Sequence, residues 1–351
     1  MSDVCMKKDV AVVILNWNGI GHLKEFLPSV IKNTSDDLAE IVLIDNASSD
    51  ESVSYLRATY PNIRLVINPQ NGGFAKGYND GLKYVDSKYY VLLNSDVAVI
   101  PGWLEPLHTA MERNAQIAAC QPKVLDYKNK LFFEHAGAAG GFIDKFGYPF
   151  CRGRLFHHLE KDTGQYNQDV EIFWATGACM MVRSNIFHEL GGFDESFFAH
   201  MEEIDLCWRM KNRGYLIYFV HNATVFHLGG GTLSAISPNK TYLNFRNNLF
   251  LLYKNLPDNF LFKTIFARML LDGLAFFHFI ASAKLKHAIA ILKSHRDFYK
   301  NLKQLRPKRL ANKKHHQLKY LKGVYNASIV YEFYIKSLSM FSMLNARKFE
   351  K

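Results

Sequence analysis

The feature that most constrains this chain is a strict alternation along its first 125 residues. Five short runs of β-branched and aliphatic residues, at 10–15, 40–45, 63–68, 89–93 and 117–124, read as strands. Between them, stretches at 22–33, 51–60, 75–85 and 103–114 carry apolar residues at helical spacing. Parallel strands need a long crossover that a helix supplies, so this alternation predicts a mainly parallel sheet covered on both faces. It also predicts where a ligand binds, in the crevice at the carboxyl ends of the strands. The polar residues gather there: Asn16-Trp17-Asn18-Gly19, Asp45-Asn46-Ala47-Ser48-Ser49-Asp50, Asn71-Gly72-Gly73 and Asn94-Ser95-Asp96.

Beyond residue 125 the pattern is less regular. Residues 133–168 are rich in glycine and aromatics without a clear period, which predicts a loop-dominated insert. A strand at 173–183, a short helix from Ser184 to Leu190, a turn at Gly191-Gly192-Phe193-Asp194 and a helix at 202–212 follow. Strands are expected at 216–220 and 224–227, and helix from Thr241 to about Leu305, with a basic, weakly patterned segment after Pro307.

The five cysteines, Cys5, Cys120, Cys151, Cys179 and Cys207, form no CxxC pair, and an odd number cannot all pair within one chain. Together with the lack of a secretory pattern before the first apolar run, they suit core thiols in a reducing, cytoplasmic setting. The net charge of +11 is uneven: from Asp258 onward 19 Lys and Arg face five Asp and Glu, while the remainder holds 24 against 27. The basic tail suits anionic lipid, nucleic acid or a phosphorylated substrate.

Strand one ends in a turn without the close glycine spacing of a dinucleotide fold, so a cofactor dehydrogenase is disfavoured. Asp45 at the end of strand two can accept from a nucleotide base or ribose, or close a turn. Asn94-Ser95-Asp96 ends an apolar strand. A carboxylate there can sit beside a sugar and a hard divalent cation that bridges diphosphate oxygens.

From residue 10 to about 248 the chain resembles the family 2 glycosyltransferases of the GT-A fold, and within them the rhamnosyltransferase-like enzymes of bacterial surface-polysaccharide assembly. Besides the strand-end segments above, the likeness rests on Gly72-Gly73-Phe74-Ala75-Lys76-Gly77-Tyr78-Asn79, Thr176-Gly177-Ala178-Cys179 and Gly191-Gly192-Phe193-Asp194-Glu195. It continues through Glu202-Glu203-Ile204-Asp205-Leu206-Cys207-Trp208-Arg209. The resemblance implies that Asp45 faces the donor base, with Asn16, Asn18, Asn46 and Ser48 about the same nucleotide pocket. It places Gly73 and Asn79 near the ribose and diphosphate, and Asn94, Ser95 and Asp96 at the sugar. Asp96 would take the place of the family's metal-binding carboxylate, with Asn94 where a first Asp is usual. His227, in His-Leu-Gly-Gly-Gly, would complete a Mg²⁺ or Mn²⁺ site.

Chemically, departure of a nucleoside diphosphate leaves developing negative charge for a divalent cation to neutralise. The acceptor hydroxyl needs a base. By resemblance that base is Glu203, which stands where relatives commonly carry Asp, with Glu202 in support. One carboxylate opposite the leaving group gives a single in-line displacement and inversion. Trp174, Gly177, Ala178, Asp205 and Arg246 are the expected acceptor or phosphate contacts. Asp205 and Arg209, four apart on a helix, can also pair with each other.

These observations predict an α/β GT-A domain over residues 1–256 and a basic, mostly helical region over 257–351. The function expected is sugar transfer from a nucleotide-diphosphate donor (a UDP- or dTDP-sugar, with dTDP-rhamnose among the candidates) to a glycan or lipid-linked acceptor. The longest uncharged stretch of the tail, 273–283, is too short to span a bilayer. An interfacial helix on the inner face of the cytoplasmic membrane, packing onto the catalytic domain and a dimer seam are the alternatives for it. A nucleic-acid-binding protein and a catalytically inactive sugar-nucleotide-binding domain are the rival functions. The first lacks a recognition module in the body of the chain. Intact Asp96, Glu203 and His227 argue against the second.

Overall fold

The computed structural model describes residues 8–229, 237–316 and 321–349. Cys5 and the last two glycines of His-Leu-Gly-Gly-Gly lie outside them.

The first part alternates as the pattern requires: β1 (Val10–Asn16), α1 (Ile20–Asn33), β2 (Ala39–Asp45), α2 (Ser52–Thr59), β3 (Arg64–Ile67), α3 (Gly73–Gly81), β4 (Tyr89–Asn94), β5 (Val97–Val99), α4 (Glu105–Arg113) and β6 (Ile117–Asp126). Strands β1 to β4 pair in parallel, β2 and β4 flanking β1. Along β1 the side chains divide by parity. Val10, Val12 and Ile14 enter one core with Leu23, Leu27 and Met111, whereas Ala11 and Val13 enter the other with Ala75 and Tyr78. A period of two with both sets buried is what a doubly covered strand demands.

Residues 133–168 hold more regular structure than expected. They contain β7 (Gly141–Asp144), β8 (Pro149–Cys151), β9 (Arg154–Leu155) and β10 (His158–Leu159), a small antiparallel sheet. Strands of two to four residues are too short to show a period, so only their pairing partners reveal them.

The chain continues with β11 (Val170–Glu171), β12 (Cys179–Arg183), α5 (Ser184–Glu189), α6 (Glu202–Lys211) and β13 (Leu216–His227). Strand β12 runs antiparallel to both β4 and β6, which makes the central sheet mixed, in the order β11-β13-β6-β12-β4-β1-β2-β3. The two strands expected at 216–227 are one, its register slipping between Val220 and Thr224. Its far end pairs with β5, His227 opposite Val97.

Three helices follow: α7 (Pro238–Asn255), α8 (Asp258–Ala281) and α9 (Leu285–Lys313). The last runs through Pro307, past the break expected there. The chain then returns to the small sheet as β14 (Val324–Tyr325), paired in parallel with β7, and ends in α10 (Ile329–Tyr334) and two single 3-10 turns.

Candidate active site

The sheet order brings the ends of β1, β2 and β4 together, and two networks organise them. In the first, Ser48 is the hub. Asn16 Nδ2 and the Asn18 amide both donate to its hydroxyl (3.2 and 2.9 Å), and its own amide donates to both Asp45 oxygens (3.0 and 3.2 Å). Asp45 is buried, and its carboxylate closes the turn after β2 instead of facing open space. Asn18, at φ 48°, accepts from the amides of Ser49 and Asp50. The side-chain oxygen of Asn16 is buried without a partner among the described residues. Asn46 directs its amide to Asn71 and the Gly73 carbonyl, and its oxygen accepts from Asn68.

The second network surrounds His227. Asp96, in the turn between β4 and β5, meets His227 Nε2 at 3.1 Å, and Glu134 Oε2 stands 3.2 Å from the other ring nitrogen. All three are buried. Burial alone would lower the imidazole pKa, but the hydrogen bond to Asp96 and the charges of both nearby carboxylates lift it to about 10. Burial would raise the two carboxyls, and His227 instead holds both below their ordinary range. Gly229, at φ +69°, lies against Glu134, where a Cβ would come within 2.8 Å of Oε1.

The donor set suits a small, hard divalent ion. The 3.1 Å between Asp96 Oδ1 and His227 Nε2 is a hydrogen bond that an ion would replace by displacing the Nε2 proton, after which two donors at about 2.1 Å and at right angles stand about 3 Å apart. A carboxylate on the remote nitrogen, as Glu134 is, orients such a histidine. Glu134 was not foreseen: nothing in its spacing ties it to His227.

Glu202 and Glu203 open α6. Among the described residues, each keeps one buried carboxylate oxygen without a hydrogen-bond partner. Burial pushes Glu203 up to about 7, and burial with the neighbouring Glu203 charge raises Glu202 well above the ordinary carboxylate range. Glu203 lies beside Gly177 and Phe74: a Cβ on Gly177 would sit 3.9 Å from Glu203 Cγ and 3.5 Å from the phenyl ring. The next carbonyl, of Ala178, accepts the Asn94 amide at 3.0 Å, which brings Glu203 to the end of β4.

The approach to α6 is conformationally strained. Phe198, His200 and Met201 have φ of 65°, 69° and 75°, a region that non-glycine residues seldom occupy. Two neighbouring side chains of α7 hold the segment, and the closer clamp is buried Asn247, whose two Nδ2 hydrogens are shared among the carbonyls of Phe197, Ala199 and His200 at 3.0, 2.8 and 2.7 Å. The Phe198 carbonyl in turn accepts the Phe74 amide at 2.9 Å, joining the start of α3 to the start of α6. The sequence Arg246-Asn247-Asn248 resembles the Arg-Asn of the family, but a role is expected there only for the arginine, and the clamp by Asn247 is not expected.

Four expected contacts are corrected. Asn79 does not face the crevice: its amide grips the Phe193 backbone (2.8 and 2.9 Å). Trp174 is buried and donates to the Phe142 carbonyl at 2.9 Å, joining the second sheet. Asp205 lies in the core, with Arg209 Nε at 2.8 Å and Lys254 Nζ at 2.7 Å. Arg246 donates to Asn247 and to the carbonyls of Ser196 and Phe197, so its guanidinium braces the strained segment. Each is a polar group, drawn wholly or partly out of water, whose partners come from within the protein.

Residues 11–191 match the model of glycosyl transferase family 2. The chain belongs to glycosyltransferase family 2. This transferase is similar to N-acetylglucosaminyl-diphospho-decaprenol L-rhamnosyltransferase of Mycobacterium tuberculosis, with 27% identity over 232 residues, 62% of this chain and 75% of the relative. It is also similar to low-salt glycan biosynthesis hexosyltransferase Agl10 of Haloferax volcanii, with 23% identity over 253 residues, 69% and 75% of the two chains. Among solved structures it resembles GalNAc-T7 with UDP, GalNAc and Mn²⁺, with TM-score 0.51 and 20% identity over 62% of this chain and 42% of that one. It also resembles mannosyltransferase PcManGT of Pyrobaculum calidifontis in complex with GDP-Man and Mn²⁺, with TM-score 0.50 and 14% identity over 88% and 86%. The transferase therefore has the GT-A fold.

Proposed function

We propose that this transferase moves a sugar, with inversion, from a UDP- or dTDP-sugar to a hydroxyl of a lipid-linked or growing surface glycan, and that dTDP-rhamnose is the foremost donor. The observation that carries the reaction type is Glu203, a carboxylate with a pKa of about 7 beside Gly177 near the end of β4, one of whose buried oxygens has no partner among the described residues. A general base works best when its pKa lies near the working pH. Similarity to the mycobacterial rhamnosyltransferase supports rhamnose as the sugar and a lipid-linked acceptor.

In the proposed reaction the acceptor oxygen attacks the anomeric carbon and the bond to the diphosphate oxygen breaks. Glu203 takes the hydroxyl proton and the nucleoside diphosphate leaves. Asp96 and His227 would hold a Mg²⁺ or Mn²⁺ ion, whose chemistry when bound is to neutralise charge on the departing diphosphate. Glu134 keeps the imidazole aimed at Asp96 throughout. The Ser48-centred network shapes the nucleoside end, Asp45 acting through the turn it closes. The Asn247 clamp fixes the direction of Glu203.

A thermal-shift and donor-hydrolysis panel of UDP-, dTDP- and GDP-sugars, with and without Mn²⁺, tests this proposal. A shift and turnover that need both a nucleotide sugar and the ion are expected. No ion-dependent response to any donor, or a product that retains the anomeric configuration, would overturn it.

A further inference from the structure

Helix α8 is inverted relative to a helix of a water-soluble domain. Two of its four charged residues face inward: Arg268 and Asp272 are 4% and 0% exposed and bond to each other at 2.8 Å, whereas Asp258 and Lys263 in its first two turns are exposed. The Arg268 guanidinium lies 3.5 Å from the centre of the Tyr148 ring, and the second Asp272 oxygen meets His295 Nε2 of α9 at 3.0 Å. The opposite face is apolar and open. Phe262, Phe266, Leu270, Leu274 and Phe277 are 79%, 56%, 59%, 67% and 67% exposed. Spaced four, four, four and three residues apart, they form one stripe about 22 Å long at 1.5 Å per residue.

The surface extends onto α9, where Leu285, Ile289, Leu292 and Tyr299 are exposed, and Tyr299 reaches back to Met269 Sδ of α8 at 3.2 Å. On the other side Leu270 lines an open cleft of about 470 Å³ together with Tyr331 and Lys336. Exposed Lys286, Lys293, Lys300 and Lys303 are interleaved with the apolar positions of α9. Contiguous apolar surface of this extent marks an interaction site, and a basic border selects an anionic partner.

We propose that α8 and α9 seat the enzyme on an anionic lipid bilayer, with α8 lying in the plane of the interface. By length and composition α8 could cross a membrane. The Arg268–Asp272 pair, held by Tyr148 and His295, keeps it against the protein instead, so only its outer face meets lipid. The lysine stems lie along the apolar surface and place their ammonium groups at the headgroups. A second copy of this chain would carry the same positive charge to the contact, which disfavours it as the occupant.

Sedimentation of the full chain with phosphatidylcholine vesicles, with and without phosphatidylglycerol, tests this. The wild type should pellet with the anionic vesicles and be released by salt. Phe266→Glu/Leu274→Glu should weaken partitioning at least about tenfold while leaving the melting temperature unchanged, since both side chains face solvent. Independently, the indole added by Phe262→Trp should contribute an emission that moves to the blue when the anionic vesicles are added. Equal binding by the double variant would overturn the proposal. So would an added indole whose emission stays in place, or a wild-type dimer that the double variant dissociates while no vesicle binding is seen. The readout does not depend on turnover, so its failure leaves the proposed transfer reaction standing.

Discussion

At the residue scale, Glu203 carries a carboxylate that burial keeps largely protonated below neutral pH. The base form is the ionised one, so turnover should rise with pH through about 7 and then level off. Glu203→Gln should cut turnover by about 10²–10⁴ with donor affinity retained, and Glu202→Gln should be milder. Steady-state rates beside calorimetric donor binding decide between them: a deeper loss in Glu202→Gln would transfer the role to Glu202. The same shift has a stability consequence. The folded-state pKa lies above the unfolded one, so the native state loses stability as pH rises through about 7. Glu203→Gln removes that loss, and its melting temperature should exceed the wild type's at alkaline pH but not in acid.

Glu134 offers a second test at this scale. Glu134→Gln keeps the shape but weakens the partner of His227, and should lower Mn²⁺ affinity about 10–100-fold. Asp96→Ala should abolish ion-dependent turnover. Titration calorimetry with Mn²⁺ and nucleoside diphosphate measures the first and donor assays with and without the ion the second. Unchanged affinity in Glu134→Gln would reduce that residue to a packing role.

At the scale of elements, the segment before α6 links three of them. It begins at the α3 amide contact, passes through three left-handed residues and delivers two carboxylates at a helix start. Strain of this kind persists only where the surroundings impose it. Asn247 imposes it from α7, so Asn247→Ala releases three carbonyls and should cost about 1–3 kcal/mol. Turnover should fall further than donor affinity, because the segment leads directly into Glu203 and reaches the nucleoside network only where Phe198 packs on Gly73. Denaturant unfolding together with kcat and donor Kd would show this; equal losses in both constants would mean general loosening.

At the scale of the molecule, the C-terminal helices are anchored through buried charge. Lys254 of α7 bridges Asp194 and Asp205, and Lys308 of α9 also pairs with Asp194. Against burial, these lysines, with Arg209 at Asp205, hold both aspartates below the usual carboxylate range. Lys254→Met leaves the two aspartates without their shared cation and should cost roughly 3–5 kcal/mol in urea unfolding at neutral pH. The depressed pKa values mean that this contribution is present above about pH 4 and is lost as pH falls further. The gap between wild type and variant should therefore narrow in acid, and a constant gap would point to lost packing alone.

The alternation of the first 125 residues and the polar strand ends were legible because their causes are local. Side-chain parity defines a strand, helical spacing defines a helix, and a parallel sheet places ligands at its carboxyl edge. Asp96, His227 and the pair Glu202-Glu203 stand out by their motifs, and the fold brings the first two to 3.1 Å. Local chemistry along the chain thus settles this set of elements and the crevice they form. Which polar groups stay free for chemistry is a matter of packing. Asn79, Trp174, Asp205 and Arg246 look like ligand contacts until their surroundings assign each a protein partner, whereas Glu134 and Asn247 become visible only when distant segments meet. Helix α8 shows the same division: its amphipathic spacing was readable, but which face turns inward depended on Tyr148 and His295, and pairing between residues remote in the chain leaves no periodic mark on a sequence.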